Sequence, residues 1–195
     1  MSAVVLAVLL WLPQSGSGEF TISVNGMTLG SEQFSILRSD GGFVATGRTR
    51  LRVNGGSVEA ESRMRLDAEL NPLSYEYTSG GQSLRLDIGA EVARVEVTVD
   101  GEATSYDIVF PAGGMIVDDN FFHHYLLLLD RVGEDGGSLQ VFVPQQLTVG
   151  MIEVRPAGER TYDLTTENLR LRASTDAEGR LVRLVGLDTN VVVER

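Results

Sequence analysis

The sequence contains no cysteine and no lysine. Without cysteine there is no disulfide, no thiol nucleophile, no thiolate ligand for zinc or an iron–sulfur cluster, and no attachment point for a bacterial lipoprotein anchor. Without lysine there is no Schiff-base chemistry and no phosphate-gripping lysine of the P-loop kind. Every basic side chain is arginine, and the 16 arginines are outnumbered by 27 acidic residues, for a net charge of −11. Nucleic-acid recognition needs a basic stripe that this balance does not supply. Attraction to an anionic membrane surface is excluded on the same ground. The longest apolar run, Ala3 to Leu12, is about half the ~20 residues that a membrane-spanning helix needs.

That run is nevertheless the length of a signal-peptide core. Pro13 breaks it, and Gly16-Ser17-Gly18 supplies small residues for cleavage, although no arginine precedes it. Residues 1–18 are therefore predicted to be a signal peptide, and 19–195 a single β-rich domain. The predicted location is the periplasm or the cell exterior.

Beyond the leader, apolar and polar residues alternate in segment after segment, which is the pattern of half-buried strands. Asn25-Gly26, Asp40-Gly41-Gly42 and Asp100-Gly101 punctuate them as hairpin turns. The clearest segment runs from Val58 to Leu70. Its even positions are Val58, Ala60, Ser62, Met64, Leu66, Ala68 and Leu70, and the odd ones are Arg, Asp or Glu. A straight strand of ~13 residues would exceed 40 Å, whereas a domain this size is about 30–40 Å across. The strand must curve, which implies a barrel or wrapped half-barrel. A membrane barrel turns apolar faces to lipid, but here one face of nearly every strand is charged, so the apolar faces are expected inside.

One stretch breaks the alternation. Residues 118–131 read as the single substantial helix, with Phe121, Phe122, Tyr125, Leu126, Leu128 and Leu129 on an arc roughly 160° wide. Asn120, His123, His124, Asp130 and Arg131 fall on the opposite side, with Leu127 as an exception. Asp118 or Asp119 is placed to cap the N-terminus, and Gly133 to end the helix. Three turns are not stable alone in water, so the aromatic and leucine face must be buried on the sheet. The fold class expected is all-β: a strongly curved antiparallel half-barrel or barrel-like sheet of about eleven strands around one amphipathic helix.

This order of elements carries a resemblance. The features are the leader, the hairpins, the run Pro111-Ala112-Gly113-Gly114 into Asp118-Asp119-Asn120, then Val141-Phe142-Val143-Pro144-Gln145, and the closing Asp176 to Leu181 hairpin. The chain resembles a family of uncharacterised exported β-rich bacterial proteins, loosely similar to the LolA/LolB-type lipoprotein-carrier half-barrel. The resemblance implies an apolar concavity that takes acyl chains. With a single helix here where the carriers have several, that helix is placed to plug the concavity.

Asp118, Asp119, His123 and His124 form the sharpest chemical cluster, and carboxylate with imidazole can hold a metal. Adjacent histidines on a helix diverge by about 100°, and the i, i+4 spacing of zincin histidines is absent. No metal or cofactor is therefore expected, with Asp119 and His123 as the residual metal candidates. No serine–histidine–acid arrangement is recognisable. Asp130 to Gly136 fails as a calcium loop because Val132 stands where an oxygen ligand belongs. Tyr75, Tyr77, Tyr106, Phe121, Phe122 and Tyr125 are the candidate ligand-pocket residues, against the ordinary use of aromatics as core. The leading functional expectation is a non-catalytic envelope module that binds a lipid or other apolar molecule, with an envelope protein as a possible partner. The alternatives are a hydrolytic or metal-assisted enzyme using Asp118, Asp119, His123 and His124, and a structural β-domain with a filled core.

Overall fold

The computed structural model describes residues 15–53 and 55–195. Most of the predicted leader thus lies outside the described residues. The part that is described, Gly16-Ser17-Gly18, already belongs to the first strand, paired with Ile36, Ser35 and Phe34. The domain's first strand therefore begins three residues before the expected boundary at Glu19.

Alternation produces one sheet. Its first half is a meander of β1 (Gly16–Val24), β2 (Met27–Ser39), β3 (Gly42–Val53), β4 (Gly56–Asp67), β5 (Pro72–Ser79), β6 (Gln82–Ile88), β7 (Val92–Val99) and β8 (Glu102–Val109). The two-residue β9 (Met115–Ile116) and the helix α1 (His123–Val132) follow. A second meander closes the chain: β10 (Gly137–Val143), β11 (Thr148–Gly158), β12 (Thr161–Thr165), β13 (Arg170–Thr175), β14 (Leu181–Gly186) and β15 (Val191–Glu194). The described residues form fifteen strands rather than about eleven. Each short alternating segment is a strand in its own right, and β9 is too short to alternate at all. Turn chemistry sets the register: Asn25 and Gly26 both take positive φ (52° and 77°), as do Asp100 and Gly101 (52° and 88°). Paired positive φ matches the twist of the strands that such a turn joins. The long β2 carries its irregularity opposite Ile22–Ser23, next to Gly30.

The two meanders meet where β1 pairs with β15, Thr21 opposite Glu194 and Val24 opposite Val191. The free edges are β8 and β9, and every pairing is antiparallel except that of β9 with β10. The sheet is open, not closed. Yet the chain passes from one edge to the other between Val109 and Met115, a link that reaches about 20 Å at most. The edges must approach at that end, so the sheet curls round.

The helix fills the curl. It begins at His123, not near residue 118, and Asp118 and Asp119 do not cap it. Gly133 does end it, at φ 69° and with its N–H on the Leu129 carbonyl at 2.9 Å. The expectation of one polar face fails. Residues His123 through Leu129 are all buried, Leu127 and both histidines completely. A helix enclosed by sheet on several sides has no solvent face along its middle, so the histidines of the wheel's polar arc lie against protein, while Asn120, Asp130 and Arg131, toward the ends, stay partly exposed.

Small residues make room for it. On the inner face of β3 and β4 stand Ala45, Gly47, Thr49, Ala60 and Ser62, all buried. A Cβ added at Gly47 would lie 2.6 Å from Cε1 of His123 and 2.7 Å from Cδ1 of Phe121. Larger inner-face residues flank this trough, Phe20 and Phe34 on one side and Tyr75 and Leu86 on the other. The outer faces carry cross-strand pairs such as Arg94–Asp107 and Arg172–Asp163, which at such exposure contribute little to stability.

Candidate functional site

The N-terminus of α1 is capped from a distant strand. Glu32 sits in mid-β2 with no exposed surface. Its carboxylate accepts the backbone N–H of Phe122 at 2.7 Å and of His123 at 3.3 Å, and Nδ1–H of His123 at 2.5 Å. Two otherwise orphaned helix N–H groups are thereby satisfied, and a negative charge lies at the positive end of the helix dipole. Beside it, Thr49 donates to the Asn120 carbonyl at 2.7 Å.

A second buried group holds the approach to the helix. Asp118 Oδ2 accepts from the Tyr75 hydroxyl and from Gln145 Nε2, and Oδ1 accepts from the Asn120 N–H at 2.8 Å. Burial pushes the Asp118 carboxyl above its ordinary range, against these stabilising hydrogen bonds. Burial, and then the neighbouring Asp118 charge, raise the Tyr75 phenol well above the usual value, so it serves as a donor. The Asp118 N–H points to Nδ1 of His124 at 3.2 Å. A backbone N–H can only donate, so Nδ1 is the acceptor and the proton of His124 is on Nε2. Among the described residues, that Nε2 has no hydrogen-bond partner, and neither has Nε2 of His123. Burial, reinforced by His123 alongside, drives the His124 pKa well below its usual value, so the ring is neutral.

The two histidine rings stand 4.5 Å apart at 75°, closer than divergence on a wheel implies. Among the described residues no group of three or more His, Asp or Glu is placed to hold a metal. His123 is sealed in the core while Asp119 is exposed at the surface, so the two residual metal candidates occupy different environments. Phe121, Tyr75 and Tyr77 pack around the histidines: Tyr77 meets Phe121 edge-on at 6.3 Å, and Tyr75 meets His124 at 5.8 Å. Tyr106 lies half-buried on the edge strand β8.

Of the six aromatic candidates, Phe122 and Tyr125 border an apolar cleft. It measures about 230 Å³ and lies between the start of α1 and the β13–β15 hairpins. Phe122 and Tyr125 form one wall; Leu169, Leu171, Leu184, Val191 and Val193 form the other. Asp118 and Asp119 lie along it, with Gly186 and Thr189 completing the lining. Asp119 holds Gln146 Nε2 at 2.9 Å. A larger hollow, about 420 Å³, opens at the other end of the helix, but Asp130, Glu134, Arg160, Asp176 and Glu178 make its walls polar.

Glu32 was legible by parity: it shares the inner face with Phe34 and Ile36 on the same alternation. The leucine and valine wall carried only the ordinary signal of core strands.

Comparison with known proteins adds the fold alone. No family model matches the chain, and no curated protein matches it. Among solved structures, the chain is similar to a DUF1089 family protein from Pseudomonas aeruginosa, at TM-score 0.52 and 15% identity. The match covers 77% of this chain and 87% of that one. Among the described residues no helix is long and apolar enough to cross a membrane.

Proposed function

We propose that the protein is a non-catalytic binding module of the cell envelope whose ligand is a lipid chain or another apolar molecule held in the cleft between α1 and β13–β15. The observation that carries this reading is the apolar cavity of about 230 Å³ walled by Phe122, Tyr125, Leu171, Leu184 and Val193, somewhat smaller than the ~300–1,000 Å³ of typical small-molecule sites and thus sized for a single chain or ring. The helix takes up the rest of the concavity, so the cleft accepts one chain or ring system rather than the bulk of a lipoprotein anchor. The complete burial of His123 and His124 favours binding over catalysis, because a reacting atom must reach its acid or base within hydrogen-bond distance.

The neutral dye N-phenyl-1-naphthylamine tests it. One dye per chain is expected to brighten on binding, and Val191→Trp, at the half-buried rim, is expected to abolish the signal. No binding to folded wild-type protein would sink the proposal and leave a structural domain with a filled core.

Export belongs to the same proposal and rests on the apolar run Ala3 to Leu12 with small residues after it. Residues 16–18 are laddered to β2, so a cut before Gly16 is the one that leaves β1 whole. N-terminal sequencing from the native host is expected to begin at or shortly before Gly16. An intact Met1 on the mature protein would refute export.

A further inference from the structure

The cleft has a charge as well as a shape. Its lining includes two carboxylates, Asp118 and Asp119, and no arginine. The arginines of the adjoining strands are engaged on the outer face instead: Arg170 with Asp188 at 2.5 Å, Arg172 with Asp163 at 2.7 Å and Arg183 with Glu194 at 3.1 Å. Asp118 is met only by uncharged donors, Tyr75, Gln145 and a backbone N–H. Asp119 is met by the Gln146 amide. Among the described residues neither carboxylate has an ion-pair partner.

An amphiphile in this cleft must place its head near one of these two groups. A carboxylate or phosphate head would add a third negative charge to an apolar recess with no cation to offset it, in a chain of net charge −11. Inside such a recess like charges repel far more strongly than in water. An ammonium head meets the opposite situation. Asp119 is at the surface, where a head can reach it without being stripped of all its water. Asp118 is buried beneath, and the Tyr125 phenol is held above its usual pKa by burial and then by both carboxylates. Phe122 and Tyr125 bring aromatic rings to the same wall, and such rings attract cations further.

Building on the cleft proposed above as the ligand site, we infer that it selects cationic amphiphiles: an aliphatic chain against Leu171, Leu184 and Val193, with an ammonium head at Asp119.

The test compares three ligands with the same ten-carbon chain, decylammonium, decanoate and decyl maltoside, each below its micelle concentration. Calorimetry on the folded wild-type chain is expected to give decylammonium at least tenfold tighter than decanoate. Asp119→Asn, at an exposed position, is expected to shrink that ratio several-fold. Raising the salt is expected to weaken decylammonium binding and leave the maltoside unaffected. Decanoate or maltoside binding as tightly as decylammonium would overturn the charge preference and leave the apolar cleft standing. Failure of all three would overturn both. Decylammonium binding undiminished in Val191→Trp would place the cation on the general acidic surface, and this too would overturn the inference.

Discussion

Two buried residues decide whether the helix has a place to start. Glu32 is the sole carboxylate on two helix N–H groups and one imidazole, all out of contact with water. Glu32→Ala strands those donors, and removing one partner of such a buried set costs ~3–5 kcal/mol. That is a large part of the ~5–15 kcal/mol that holds a domain together. Urea unfolding is expected to show a sharply lower midpoint, and an unchanged midpoint would mean that another group caps the helix. His124 makes stability depend on pH. Its folded pKa is depressed by burial, so below its ordinary value of about 6.5 the unfolded chain takes up a proton that the folded chain refuses. Its contribution is complete above pH 6.5 and is lost as the pH falls below it, by about 1.4 kcal/mol per pH unit. Asp118 acts in the opposite sense. Its raised pKa favours the folded state as the pH falls toward the ordinary carboxylate value, so it offsets part of the loss in the more acidic range. Urea midpoints from pH 7.5 to 5 are expected to decline, and the decline should flatten in His124→Asn, whose side-chain oxygen can still accept the Asp118 N–H.

At the scale of elements, the helix and the trough of small residues in β3 and β4 explain each other. Ala45, Gly47 and Ser62 bring the sheet backbone close, and Phe121 and His123 occupy the space a Cβ at Gly47 would need. The far end is tied as well. Arg131 donates to Asn71 Oδ1 at 2.7 Å and to the Glu69 carbonyl, within a turn organised by Asp67, which accepts the Asn71 N–H at 2.7 Å. A helix held at both ends and buried in between is a structural plug, and its leucines should behave accordingly. Leu127, Leu128 and Phe121 have no exposed surface, and truncating such a residue to alanine costs ~2–5 kcal/mol. Leu127→Ala is therefore expected to destabilise as much as Leu128→Ala, not under ~1 kcal/mol as its place on the wheel's polar arc implies. The double variant Phe121→Ala with Leu129→Ala is expected to be molten or unfolded by near-UV circular dichroism. Native-like spectra and midpoints in these variants would show a mobile lid instead of a plug.

For the whole molecule, the decisive contact joins the two ends of the described chain. β15 lies between β14 and β1 in the middle of the sheet, Val193 is fully buried, and Arg195 reaches the Ser17 carbonyl at 2.7 Å. Val191 and Val193 also form part of the cleft wall. Deleting residues 191–195 would uncouple the two meanders and leave unpaired strand edges facing each other across the gap, a template for aggregation. Expression of that truncation is expected to give insoluble protein or a chain without a cooperative thermal transition. A soluble, cooperatively melting truncation would show that each meander folds by itself.

The sequence by itself determined the all-β class, the hairpin turns at Asn25-Gly26 and Asp100-Gly101, the position of one short helix and its stop at Gly133. These are local matters: a period of two, a pair of residues that tolerate positive φ, a change to a period near 3.6. It also held the inward parity of Glu32, because alternation with Phe34 and Ile36 fixes which face a side chain takes. Only the tertiary structure decided that Glu32 caps α1, that Leu127 and both histidines are sealed, and that Phe122 and Tyr125 line the cleft while Tyr75 is buried in the core. A helical wheel knows one helix, whereas burial depends on how many sides the sheet covers. The cleft exists because β15 returns to pair with β1 from the other end of the chain, and no local pattern encodes a pairing across that separation.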